Sequence, residues 1–324
     1  MEIPEFIQEE TPTDPSATYY IYLSLFVPEF PQKNAEIVLN LFLNGSTEVT
    51  KEVAVTFSKY PHSYQLSFSR CALYFPDKFT LLSLERLSLL LMKSGRPHLQ
   101  NDGIKLSSFI TNPTSPRDLF TSIVTSGPYL STIEAARSSW STALKILNSM
   151  NEENKFHTLR LVLESPETPE ATLCVIIQEL KRIIHSSKSG LFRSPMVGNT
   201  LLPLIMNPNV TRNPVGKTEL LVTSLNFLQY LLIVDKRIHC FALFGNQNQM
   251  KNIQKAVDEV KVALKKSKSD NEKPKEKILE NMKKVNFGKE LTRNDIDKVV
   301  ESTNLSIARV QFNVELIEEV LNAN

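Results

Sequence analysis

Glycine is scarce in this chain, nine in 324 residues. Hairpins and tight β-turns draw on glycine, so its shortage weighs against a sheet protein and favours long helices joined by proline-bearing loops. Cysteine is equally sparse and odd in number. Cys71, Cys174 and Cys240 lie far apart, which excludes a disulfide framework and implies a reducing compartment, the cytoplasm with the nucleus also open to it. Cys174 falls inside an apolar helical stretch and reads as a buried free thiol. Met1 to Ala17 holds acids but no lysine or arginine, the wrong charge for an ordinary signal or transit peptide. No apolar run approaches the ~18 residues that a membrane span requires. Net charge is only +2, yet Lys251 to Glu290 carries twelve lysines against seven acids. Within it, Lys265 to Lys277 mixes both signs and offers no aromatic ring to a base. That composition describes a mobile, solvated linker and not a nucleic-acid patch.

Helical periodicity fills most of the remainder. Ala35 to Ser46 begins as a short helix from Asn34 and closes at Asn44-Gly45. Val49 to Tyr64 alternates over a few residues like a strand but keeps helical spacing over its full length, so it is read as helix. Thr80 to Lys93 is another helix, expected to be buried on most sides. Ser115-Pro116-Arg117-Asp118 has the form of a capping box. Trp140 lies in the next helix, Ser131 to Met150, where Ile133, Trp140, Leu144 and Leu147 share a face; Glu152 to Leu163 follows. The centre of the chain is Thr168 to Asp235. Its first helix takes Thr168 as N-cap and buries Leu173, Ile176, Ile177, Leu180, Ile183 and Ile184. Its second, from Thr218, is apolar nearly all round (Leu220, Leu221, Leu225, Phe227, Leu228, Leu231, Leu232), the pattern of a helix covered on several sides. Between them the connector Gly190 to Lys217 holds a short helix near Asn199 to Met206. A helix runs from about Met250 to Lys266, and a last one opens at Thr292-Arg293-Asn294-Asp295. In that last helix Ile296, Val300, Thr303, Ile307, Val310, Val314, Ile317 and Leu321 step by fours and threes, a seam for a neighbouring helix.

Patterns that would carry chemistry are incomplete. Val215-Gly216-Lys217-Thr218 precedes a helix, but a phosphate loop needs glycine at position 211, where the chain has threonine, and a preceding strand. His62, His98, His157, His185 and His239 are scattered without metal-ligand spacing. Glu152-Glu153 has no matched acid–base partner. The sequence therefore offers no catalytic, metal or cofactor residue, and no small-molecule substrate, nucleic-acid or membrane partner is expected. The sum of the elements is an all-α chain, an α-solenoid of degenerate HEAT-like repeats.

One stretch is more specific. Ser224 to Leu232 (SLNFLQYLL) followed by Asp235-Lys236 resembles the most recognisable segment of the glomulin family, which includes the plant aberrant-lateral-root-formation protein and, more distantly, yeast YAP-binding and kinetochore-associated proteins. Cys174 to Ile184, Asn252 through Lys268 and Asp295 to Leu321 resemble, in order, the helices around it, so the resemblance spans roughly residues 155 to 324. Composition marks an acidic disordered start (1–18), an N-terminal helical region (19–110) and the linker at 265–277, and the resemblance makes 111–324 a glomulin-like helical repeat domain that the linker interrupts. It also implies a non-enzymatic regulator that holds the RING-box subunit of cullin–RING ubiquitin ligases and masks the docking surface of the ubiquitin-conjugating enzyme. A helical scaffold for another client, a transcription factor or kinetochore component, is the alternative. The resemblance assigns no individual contact residue.

Overall fold

The computed structural model describes residues 31–44, 61–130, 132–272 and 293–323. Every regular element among them is helical, and the chain divides after Lys155 into two compact units.

The first unit holds α1 (Gln32–Asn44), α2 (Pro61–Ala72), α3 (Leu81–Met92), α4 (Pro97–Ser107), α5 (Pro116–Ser126) and α6 (Ile133–Ser149). From α2 onward each helix packs against the next and against the next but one. Local chemistry sets the boundaries. The Thr80 and Thr132 hydroxyls accept the amides of Ser83 and Ala135, as N-caps do, and Pro97 and Pro116 occupy first helical turns. At the α3–α4 contact Gly103 is needed: a Cβ there would lie 2.8 Å from the Ser88 carbonyl oxygen, and the Ser88 hydroxyl donates to the Gly103 carbonyl at 2.7 Å. The core of this unit also contains charge. Arg70 Nε donates to Asp102 Oδ2 at 2.7 Å, with both side chains almost fully buried.

The second unit begins inside α7 (Glu152–Glu164) and continues with α8 (Glu170–Ser186), the connector, α11 (Thr218–Ile238), α12 (Gln247–Asn271) and α13 (Arg293–Asn322). Within the connector lie α9 (Leu202–Ile205), α10 (Pro208–Thr211) and a π-helical turn, Val197–Leu201. The apolar helix α11 is the centre, as its composition predicts. All seven of its named apolar residues are buried, with α8 and α13 packed against it and α13 also packed on α12. Arg309 pairs with Glu219, and Lys236 Nζ reaches the Ala323 carbonyl at 2.8 Å, so α11 and α13 run parallel. Lys261 pairs with Glu318 and Lys268 donates to Gln311, so α12 runs antiparallel to α13. The seam holds: Ile307, Val310, Val314 and Ile317 are buried, while Val300, Thr303 and Leu321 are half-buried.

Several expectations need correction. Ser115 makes no side-chain cap; its own amide and that of Thr114 donate to Glu85 of α3 at 2.7 Å. With α5 and α6 packed on α3 and α4, residues 111–149 fall in the first compact unit, which ends at Lys155. Thr168 does not cap α8; its hydroxyl donates back to the Val162 carbonyl of α7 at 2.9 Å. The buried face of α6 is Ser139, Thr142, Ala143, Ile146 and Leu147, with Ile133 exposed and Trp140 and Leu144 half-buried. Residues 265–271 are helical, because Lys268 and Asn271 bond to α13 and extend α12 beyond Lys266. The remainder of the expected linker, the start 1–18 and residues 49–60 lie outside the described residues, as does Thr292.

Candidate functional site

The second unit carries an open groove of about 780 Å³ along the outward side of α12. Arg212, Asn213 and Pro214, the turn after α10, form one wall. The other is a single helical face, Lys251, Lys255, Val262, Lys266 and their neighbours at three- and four-residue spacing. Asn246 starts that helix by accepting the amides of Asn248 and Gln249. The two walls are tied by Glu259, which accepts from Arg212 Nη2 at 2.9 Å and from the Thr211 hydroxyl at 3.1 Å. Arg212 holds the Glu259 carboxyl below its ordinary range, against the opposing effect of burial and with help from Thr211. Asp258 accepts from Gln254 at 3.1 Å. Lys251, Lys255 and Lys266 form no ion pair among the described residues, and Val262 is two-thirds exposed. The lining holds no histidine and no cysteine. The groove thus sets exposed lysines beside exposed Val262 and the acids Asp258 and Glu259, an open surface of mixed character.

The residues whose sequence patterns hint at chemistry are not brought together. In Val215–Thr218 the Gly216 amide donates to Asn213 Oδ1 at 3.0 Å, Lys217 pairs with Glu170 at 3.0 Å, and the Thr218 hydroxyl donates to the Pro214 carbonyl at 2.8 Å. The segment is a self-satisfied turn. His157, His185 and His239 are exposed and His98 is half-buried, and among the described residues no group of three or more ligating side chains could hold a metal. Cys174 is only half-buried; the fully buried thiol is Cys71, pushed up to about 12 by burial against the opposing charge of Arg70. At such a value it is an inert core group.

The stretch Ser224 to Lys236 proves to be architectural. Leu225, Phe227, Leu228, Leu231 and Leu232 are core, and Ser224 donates to the Leu220 carbonyl within the helix. Asp235 is buried and its carboxylate accepts the amides of Phe241, Leu243 and Phe244 at 2.6, 2.7 and 3.3 Å. It thereby fixes the loop that turns the chain from α11 into α12, after His239 has closed α11 in the left-handed conformation. Its role is invisible in periodicity; the only sequence signal is a carboxylate at the end of an apolar helix followed by two closely spaced phenylalanines.

The chain matches no protein-family model and no curated protein. Among the described residues, no helix is long and apolar enough to cross a membrane.

Proposed function

We propose that this chain is a non-enzymatic regulator of cullin–RING ubiquitin ligases, a helical-repeat protein of HEAT-like design that holds the RING-box subunit and masks the surface where the ubiquitin-conjugating enzyme docks. The observation that carries the reading is a coincidence of boundaries. The ordered resemblance starts near residue 155, and the second compact unit starts at Phe156, so the resembling stretch corresponds to one complete folded unit. The stepwise packing of α2 through α6, each on its next two neighbours, favours the repeat reading, since stacked helical repeats contact only what lies near in sequence. The groove along α12 is the proposed contact face, because it is open and sets exposed lysines beside exposed Val262.

Masking performs no chemistry, so it acts as competition. Purified chain is expected to bind the RING-box subunit about one to one in a pull-down and to slow ubiquitin-chain formation by a neddylated cullin ligase. Excess conjugating enzyme is expected to restore the rate. Inhibition that excess enzyme cannot relieve would argue against masking, and absence of RING binding would put the scaffold for another client first.

A further inference from the structure

The terminal helix α13 has two apolar faces, and only one of them is used by the fold. The seam of Ile307, Val310, Val314 and Ile317 faces α11 and α12. On the opposite side Leu305 and Phe312 are 63% and 60% exposed. They are seven residues apart, two turns or ~10.5 Å along one face, with Ala308 between them and half-buried Leu316 a turn beyond. Contiguous apolar side chains of this size on a surface mark contact sites.

The surroundings say what kind of partner fits. Glu301, Glu315 and Glu319 lie on this outward face, all exposed and none in an ion pair among the described residues; Glu315 accepts only from Gln311. Arg309 is paired with Glu219 of α11 and Lys261 with Glu318; Lys298 lies one turn before Glu301 on the same face, so Glu315 and Glu319 are the carboxylates of this face with no free cation a turn away. An apolar stripe bordered by Glu315 and Glu319 with no free cation beside them repels an anionic bilayer and attracts a cationic partner. We infer that the outward face of α13 is a docking site for a basic amphipathic helix of another protein, with apolar residues at i, i+4 and i+7 seated on Leu305, Phe312 and Leu316 and Lys or Arg side chains reaching Glu315 and Glu319. Helices recognise one another in this way through a few anchors. The inference stands apart from the RING-box reading, since it concerns a different face and a different partner.

The test uses the full chain and a synthetic helix of about five turns with leucines at i, i+4, i+7 and i+11 and lysines on both flanks, followed by fluorescence anisotropy. A second peptide has every lysine replaced by glutamate. The lysine peptide should bind one to one and the glutamate peptide at least tenfold more weakly. The double variant Leu305→Ser, Phe312→Ser should weaken the lysine peptide at least tenfold with an unchanged thermal melt, because both side chains are outside the core. The variant Glu315→Lys, Glu319→Lys should invert the preference and capture the glutamate peptide. The inference is overturned by no binding, by equal binding of both peptides, or by binding that the serine variant leaves intact. It is also overturned if the free chain forms dimers that the serine variant dissolves, or if replacing Lys275, Lys277, Lys283 and Lys284 by glutamate strengthens peptide binding tenfold. That last result would mean that the chain's own basic segment occupies the face.

Discussion

The two compact units bury charge differently. The first buries a whole ion pair: Arg70 and Asp102 meet in the core, and buried Glu85 holds the entrance to α5. The second surrounds the apolar helix α11; its buried Asp235 is met by backbone amides and not by a cation, and the ion pairs between its helices, Glu219–Arg309, Lys261–Glu318 and Glu259–Arg212, lie at the rim. The difference predicts where each unit is fragile. A rim pair in water loses little when one partner goes, whereas a buried charge without its partner is stranded in a medium that cannot solvate it. The first unit should therefore be sensitive to polar substitutions and the second to loss of apolar cover.

The largest effect is expected in the second unit. Ile307, Val310, Val314 and Ile317 each contribute on the order of 1.5–3 kcal/mol when buried, a sum comparable to the ~5–15 kcal/mol stability of a domain. Truncation before Leu291 should uncover α11 and leave an aggregating chain, and Ile307→Asp should act similarly by placing a carboxylate in the seam. A truncated chain that stays monomeric in sedimentation and keeps its cooperative melt would refute the central role given to α11. Next comes Arg70→Met, expected to cost about 3–5 kcal/mol by leaving Asp102 buried with the largely solvated Lys105 at 3.8 Å and the weaker influence of His98. Adding Asp102→Leu should recover most of that loss in denaturant titrations. If the double variant is no better than the single one, packing and not charge is what Arg70 supplies.

Glu85→Gln is smaller, about 1–3 kcal/mol at neutral pH, and has a sign in pH. Burial raises the Glu85 carboxyl, but the hydrogen bonds from Thr114 and Ser115 together outweigh it and hold the group below its ordinary 4.5. A depressed folded value stabilises above the unfolded value and is lost as the pH falls through the folded one. The gap between wild type and Glu85→Gln should accordingly narrow on acidification below about 4.5. Asp102 has the opposite sign: burial raises it against Arg70 and Lys105, so the comparison must be made between variants and not on the wild type alone. A gap that is constant with pH would remove Glu85 from the cap. The smallest effect is expected for Glu219→Ala, under about 1 kcal/mol and weaker still in high salt, because both partners are largely in solvent. A large loss there would erase the contrast between the units.

What the sequence discloses follows from which forces are periodic. The apolar helix α11, the seam of α13 and the stripe of Ile176, Ile177, Leu180, Ile183 and Ile184 are all legible, since burial repeats at helical spacing. The extents of α3 and α6 are legible too, Thr80 to Lys93 against Leu81–Met92 and Ser131 to Met150 against Ile133–Ser149. What escapes is the long-range polar bond. Glu85 accepts the Ser115 amide from 30 residues away, and no local pattern announces it. The groove escapes for a similar reason. Arg212 and Glu259 meet across 47 positions, and nothing in either local sequence announces the other. The face of α6 is misplaced because its buried side includes Ser139 and Thr142, whose hydroxyls are satisfied by carbonyls of their own helix at Ala136 and Ser138, so polarity alone does not expose them.

The parallel arrangement of α11 and α13 has a kinetic consequence. Parallel neighbours cannot be joined by a short turn, and the Glu219–Arg309 contact closes a separation of 90 residues. Loop closure of that length costs entropy before any apolar contact rewards it, so α11 is expected to associate first with α8, its sequence neighbour. The flank that α13 later covers then stays wet until α12 has formed and the chain has returned. During that interval the unit exposes the most apolar helix it owns, the condition under which folding intermediates stick to one another. Refolding from denaturant should therefore be slowest in the step that docks α13, and its yield should fall as protein concentration rises.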